Sequence, residues 1–207
     1  MSLTRLLAVA AAVLLLAGCT ATEATPTPST SATAQSTPSP TPMATPEAPT
    51  ASAIVLSLAG LAVVDSAGEA IREAAFTDPD GVLSLLDELN DTEPGVTDFT
   101  PKGFTSYQWP DVAVNVWAAD TSVVVTSATI AGLPVRTADG VHVGSTRADV
   151  TQLLVFDVGY DEDGDGTSDW FGLEPVTVDK GTEYIGVGIT GDTVTKLRAP
   201  DSDFRDI

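Results

Sequence analysis

Residues 20 to 52 are built almost wholly of Ala, Thr, Ser and Pro, as in Thr25-Pro26-Thr27-Pro28 and Pro38-Ser39-Pro40. Each proline fixes its own φ and withdraws a backbone donor, so no helix or ladder can run through such a stretch. The segment also carries too little apolar surface to form a core. It is expected to be a semi-extended stalk that, at about 3.1 Å per residue, reaches on the order of 100 Å. Its hydroxyls could carry O-linked sugars, or it could be a bare linker. Whatever folds must therefore lie outside it.

On the N-terminal side, residues 1 to 5 form a short head with one positive charge, Arg5, and residues 6 to 17 are an apolar run. A membrane-spanning helix needs about 20 apolar residues, so this run has the length of an export-signal core instead. It ends Leu16-Ala17-Gly18-Cys19, and Cys19 is the sole cysteine of the chain. The motif resembles the lipobox of bacterial lipoproteins. That resemblance implies cleavage before Cys19, a diacylglyceryl group on its thiol, and attachment to the outer face of the cytoplasmic membrane. Each buried methylene contributes about 0.8 kcal/mol, so two or three acyl chains anchor firmly. The alternative is a cysteine that happens to follow an ordinary secretory signal. The Thr/Pro stalk and a composition rich in Ala, Val, Thr, Asp and Gly are similar to those of actinobacterial cell-surface lipoproteins, which implies a domain extending into a cell wall. With one cysteine there is no intramolecular disulfide, and the fold must rely on its core or on a bound ion.

Residues 53 to 207 remain, enough for one ordinary core. Without Arg5 the chain has eight basic residues against 29 acidic ones, a net charge of −21. A phosphate backbone needs a basic stripe, so nucleic acid is excluded as a partner. Surface attraction to anionic lipid is excluded on the same ground.

Strand signals dominate this part. Residues 54 to 58 and 61 to 64 are short apolar runs, and the turn Asp65-Ser66-Ala67-Gly68 predicts a hairpin over 61 to 71. Asp78 as N-cap and Pro79 in the first turn predict a helix. Val82, Leu85, Leu86 and Leu89 form its apolar stripe, and Asn90-Asp91 ends it. Residues 112 to 117 alternate, turn through 119 to 122, and return over 123 to 130. Val141-His142-Val143 reads as a short strand. Thr146 and Asp149 have capping-box spacing, opening a second helix with Val150, Leu153 and Leu154 on its apolar face. Gly191-Asp192 joins strands over 184 to 189 and 193 to 198. The expected fold class is α+β, an antiparallel sheet with two short helices. The parallel order of elements in 54 to 130 and 131 to 207 suggests a duplicated β-α-β-β unit. The helix start at Gly144-Ser145-Thr146 is similar to one in SmpA/OmlA-type envelope lipoproteins. The duplicated layout resembles the β-lactamase inhibitor protein fold. Both resemblances imply an α+β domain that binds other proteins.

The segment Asp161-Glu162-Asp163-Gly164-Asp165-Gly166-Thr167-Ser168-Asp169 places carboxylates at relative positions 1, 3, 5 and 9, with Gly at 6. It resembles the calcium loops of EF-hands and thrombospondin-type repeats. The resemblance implies Ca2+ held by Asp161, Asp163, Asp165, Asp169 and the backbone carbonyl of Thr167. Position 12 is Gly172 instead of the bidentate Glu, so only a weak, structural site is expected. The other reading is a solvated acidic turn.

The sequence has no G-x-S-x-G, S-x-x-K or H-E-x-x-H motif. Two functions remain in view. One is a non-catalytic binding module for an envelope or secreted protein, with Tyr107, Trp109 and Trp117 as candidate contact residues. The other is an envelope carbohydrate hydrolase using a carboxylate pair. A third, the calcium-dependent adhesin, would use the acidic loop.

Overall fold

The computed structural model describes residues 48 to 118, 120 to 179 and 181 to 203. Cys19, the signal over 1 to 18, and 20 to 47 of the stalk lie outside the described residues. Among the described residues, no helix is long and apolar enough to cross a membrane.

Three short strands open the domain. β1 (Ala53–Leu56) and β2 (Gly60–Val64) pair antiparallel, with Leu56 opposite Leu61. Ser57 Oγ accepts from the N–H groups of Ala59 and Gly60 and closes the turn between them. Gly60 is required there, because a Cβ would sit 2.1 Å from the Ala74 carbonyl oxygen on the next strand. That strand, β3 (Ala70–Ala75), returns past a turn in which Asp65 Oδ1 accepts from the N–H groups of Ala67 and Glu69. The hairpin read over 61 to 71 is thus part of a three-stranded meander.

Helix α1 (Pro79–Asn90) follows, against β3. Asp78 Oδ1 accepts from the Gly81 N–H, and Asp91 ends the helix in a left-handed conformation with φ 52°. Val82, Leu85 and Leu86 are buried, and Leu89 packs at the edge of the same core. An Arg72–Glu88 ion pair ties the helix to β3.

A second meander comprises β4 (Gly95–Phe99), β5 (Phe104–Gln108), β6 (Val112–Val116) and β7 (Thr121–Val125). The strand expected over 123 to 130 is therefore two pieces. The chain leaves the sheet at Thr126, whose N–H bonds the Asp111 carbonyl. It then forms β8 (Thr129–Ile130), which turns through Ala131 (φ 51°) and Gly132 (φ 80°) into β9 (Leu133–Thr137). Two positive φ values at a two-residue loop are those of a type I′ hairpin. β9 runs parallel to β1, Ile54 opposite Val135, and completes a five-stranded sheet of order β3-β2-β1-β9-β8. The single antiparallel sheet expected from the sequence is replaced by two sheets.

Val141-His142-Val143 is not a strand. Val141 donates to Thr137 Oγ1 and accepts from the Thr137 N–H, closing a turn, and His142 is exposed on it. Helix α2 (Arg147–Thr151) has the capping box in full, with Thr146 and Asp149 bonded reciprocally. It spans little more than one turn. Val150 is buried, but Leu154 lies past the helix end and is 97% exposed, so it is not on the apolar face assigned to it. The described residues end with β10 (Phe156–Asp157), β11 (Trp170–Val178), β12 (Gly181–Thr190) and β13 (Thr193–Asp203).

The larger sheet has the order β10-β11-β12-β13-β7-β6-β5-β4, antiparallel throughout. It is two four-stranded meanders joined where β13 meets β7, with Arg198 opposite Val124. Its inner face supplies Phe171, Leu173, Val187, Leu197, Val114 and Val123 to one continuous core shared with Ile54, Leu56 and Leu86. On the outer face, glycines make room for aromatic rings. A Cβ at Gly172 would lie 2.6 Å from the Tyr184 ring, and one at Gly188 would lie 2.4 Å from Trp170 Cζ3. The Trp170 indole donates from Nε1 to Asp201 Oδ2 at 3.0 Å, and Lys196 Nζ sits 5.6 Å from its ring centre. The domain is strand-rich, with two α-helices among the described residues.

Candidate functional site

The acidic loop connects β10 to β11. Asp161 uses both carboxylate oxygens on backbone N–H groups, Oδ1 from Gly164 at 2.6 Å and Oδ2 from Gly166 at 2.9 Å. Gly164 and Gly166 take φ of 77° and 87°, the left-handed bends that let the loop curl back on Asp161. Carboxylate oxygens of Asp161, Asp163 and Asp169 converge to within 4.8 Å of one another. Two ligands on opposite sides of one calcium ion are about that far apart, since each bond is about 2.4 Å. Asp165 stands outside the group, its Oδ1 accepting from the Thr167 N–H at 2.7 Å. So three of the five residues singled out in the sequence are brought together.

The third of these, Asp169, is already compensated. It is 4% exposed, and its oxygens accept from Arg147 Nη2 at 2.8 Å and the Glu162 N–H at 3.0 Å. The Arg147 guanidinium beside it, and then the Glu162 N–H, hold its carboxyl below the usual carboxylate range. Arg147 also donates to the Ser168 carbonyl and, from Nε and Nη2, to the Gly191 carbonyl. One guanidinium thus clamps the acidic loop to the β12–β13 turn. The donor set fits a hard divalent cation in part: Asp161 and Asp163 would hold it, and Asp169 would be shared with Arg147. The sequence marks Arg147 only as a first-turn helix residue, and nothing local announces a partner 22 positions on.

The aromatic residues proposed for partner contact divide. Trp109 is 6% exposed, belongs to the core, and donates from Nε1 to the Thr92 carbonyl at 3.0 Å. It offers no surface to a partner, and its candidacy is withdrawn. Tyr107 is half-buried against the same core. Trp117 is half-buried and packs on Phe104, ring centres 5.2 Å apart, which in turn stacks on Phe99 at 4.8 Å.

Trp117 leads to a feature that sequence reasoning missed. A cleft of about 810 Å³ is lined by both apolar and polar residues. Leu58 follows β1 and Phe76 follows β3. Thr121 and Ser122 come from β7, Glu183 from β12, and Arg198 and Asp201 from β13. Trp117 and Asp120 come from the β6–β7 turn. Arg198 Nη1 is 3.5 Å from Asp201 Oδ1. Three buried side-chain polar atoms among the described residues lack a hydrogen-bond partner: Thr121 Oγ1, Ser122 Oγ and Arg198 Nε. All three belong to residues lining this one cleft. Buried polar groups are almost always paired, and an orphaned one costs about 1–3 kcal/mol.

His142 stands apart from both places. Its Nδ1 is 3.1 Å from Ser145 Oγ and 3.1 Å from the Gly140 carbonyl oxygen, which makes it a turn-stabilising residue. The chain matches no family model, no curated protein and no solved structure, so the reading of its function rests on this geometry.

Proposed function

We propose that this chain is an exported lipoprotein, held by lipid on Cys19 at the outer face of the cytoplasmic membrane. Its stalk carries the domain into the cell wall, and that domain is a binding module. The lipobox-like Leu16-Ala17-Gly18-Cys19 and the Pro-rich stalk support the anchor. The cleft beside Trp117 carries the binding reading. Its volume lies in the range of about 300–1,000 Å³ typical of ligand sites. Its lining brings apolar side chains, Leu58, Phe76 and Trp117, together with the polar Asp120, Glu183 and Arg198. The ligand is a component of the envelope, either free or displayed on an envelope or secreted protein.

The carbohydrate hydrolase is retained as a second reading because Asp120 and Glu183 line the same cleft. Asp201 is committed to Trp170 and Arg198 and is not offered as a catalytic group. At the acidic loop, a weak Ca2+ site on Asp161 and Asp163 would add rigidity; the convergence of oxygens there supports it. The two meanders meeting at β7 and β13 likewise support a duplicated origin.

The anchor is tested by feeding cells a labelled fatty acid: wild type takes up label and Cys19→Ser does not. Equal labelling refutes it. The binding reading is tested by melting the detergent-solubilised chain with a dialysable envelope fraction. Wild type should rise in Tm. Ala59→Trp, which fills the cleft from an exposed turn, should not. An equal response from both, or none from either, refutes the cleft as the binding site.

A further inference from the structure

The geometry points to the free edge of β4 as a docking strand for an extended, cationic segment of another protein. This surface is separate from the cleft, which no residue of β4 lines.

An edge strand presents unpaired backbone N–H and C=O groups, and folded proteins blunt such edges with shortness, charge, proline or bulges. The two sheets have four end strands, β3, β8, β10 and β4. β8 and β10 are two residues each. Where β11 outruns β10, Pro175 and a register break between Leu173 and Val176 interrupt the row. β3 carries Arg72 and Glu73, and Arg72 pairs with Glu88 of α1. β4 has none of these devices beyond the single charge of Asp98. It pairs with β5 over five consecutive residues without a register break, and it holds no proline and no basic residue. Among the described residues, its backbone is bonded only to β5 and to the Gly103 N–H.

The side chains define what this edge accepts. Opposed residues of a ladder share a face, so Val96, Tyr107, Val114 and Val123 form one row across β4, β5, β6 and β7. Val114 and Val123 are fully buried and Tyr107 is half-buried, but Val96 is 60% exposed. The core row therefore runs out to the edge and ends uncovered. Asp98, two residues on, shares that face with Val96. It is exposed, with no hydrogen bond or ion pair among the described residues. An incoming strand, antiparallel like the rest of the sheet, sets an apolar side chain against Val96 and a cation against Asp98, two positions apart on one face.

Charge selects the kind of partner. Glu93 precedes the strand and Lys102 follows it, in a chain of net charge −20. A cationic segment is drawn to that field, whereas a second copy brings the same charge and is repelled. Self-pairing centred on Thr97 would also set Val96 against Asp98, an apolar group opposite a carboxylate.

The test uses the detergent-solubilised full chain and a labelled cyclic hairpin peptide whose free edge reads Thr-Lys-Thr-Val-Thr. Cyclisation holds the edge extended, which removes the cost of ordering it. Fluorescence anisotropy should show saturable binding with Kd below about 1 mM. The same peptide N-methylated along its free edge keeps its charge but loses its donors, and should not bind. Replacing its Lys by Glu should weaken binding about tenfold or more. Val96→Lys, which places a lysine on the edge, should weaken it by a similar factor while leaving Tm nearly unchanged, because Val96 is exposed. Val96→Thr, which keeps strand preference, should retain most of the binding. Ala59→Trp, which fills the cleft, should bind as wild type does. Absence of saturable binding, equal binding of the N-methylated or Glu peptide, or indifference to Val96→Lys overturns the proposal. Self-association seen by sedimentation and abolished by Val96→Lys would assign the edge to a second copy and overturn it equally.

Discussion

Gly188→Ala is a small change with an unusual expected sign. In a strand interior, glycine normally weakens the fold, and replacing it with alanine gains about 0.5–1 kcal/mol. Here the new methyl would stand 2.4 Å from Trp170 Cζ3 and 3.0 Å from Cε3. The ring cannot yield freely, because its Nε1 is bonded to Asp201 and Lys196 lies over its face. Overpacking of this kind costs about 1–3 kcal/mol, so the net effect is a loss of roughly 1–2 kcal/mol. For a domain of this size that lowers Tm by about 2–8 °C. Removing the ring reverses the sign. In a Trp170→Ala background, Gly188→Ala should stabilise by about 0.5–1 kcal/mol. Urea unfolding of the four proteins gives the coupling as a double-mutant cycle, expected at about 2 kcal/mol. Far-ultraviolet circular dichroism serves as the probe, since Trp170 itself is varied. Additive effects, or a stabilising Gly188→Ala in the wild-type background, would refute the reading that these glycines exist to seat the indole.

Asp78→Ala removes the N-cap of α1 and should cost about 1 kcal/mol, read as a shift in the urea midpoint without a change in slope. Asp169 has a carboxyl pKa lowered by Arg147, so the stability it contributes is present above the ordinary carboxylate range and is lost as pH falls through the folded value. Arg147→Gln should flatten that acid limb. Glu174 works oppositely, since burial, with Asp139 adding to it, raises its pKa. Stability falls as pH rises from the ordinary carboxylate range through its raised folded value, a window above that of Asp169, and Glu174→Gln should remove that slope. Burial, reinforced by Asp201 and Asp203, pushes the Tyr184 hydroxyl up to about 12, so an ultraviolet titration should show one tyrosine ionising late. Millimolar Ca2+ should raise Tm slightly and Asp163→Ala should abolish the rise, while EDTA alone leaves the wild type folded because Arg147 already clamps the loop.

What could be read from the sequence is what is encoded locally. The Asp78-Pro79 start of α1, the Thr146/Asp149 box and the turn at Gly191-Asp192 each depend on residues within a few positions. The strands β4 and β5 left no such trace. β4 is exposed along nearly its whole length, so its residues show no alternation. Val141-His142-Val143 alternates like a strand but finds no neighbour to pair with, and a turn takes it instead. The second sheet was hidden because it depends on β1 meeting β9 in parallel, about eighty residues apart. The same holds for both sites. The triad at 161 to 169 is a local motif and was visible, whereas its clamp by Arg147 comes from another element. The cleft draws on residues from 58 to 202, and only tertiary pairing places them on one hollow.

The junction of β7 with β13 has a kinetic meaning. Each meander is made of near neighbours in sequence, which meet at small cost in chain entropy. Joining them brings Val124 to Arg198 and closes a far longer loop, so this pairing belongs late in folding. The cleft lining takes Thr121 and Ser122 from one side of that junction and Arg198 and Asp201 from the other. Half-assembled chains therefore lack a complete cleft. The hollow comes into being with the last contact made, and an occupant would act as a staple across it.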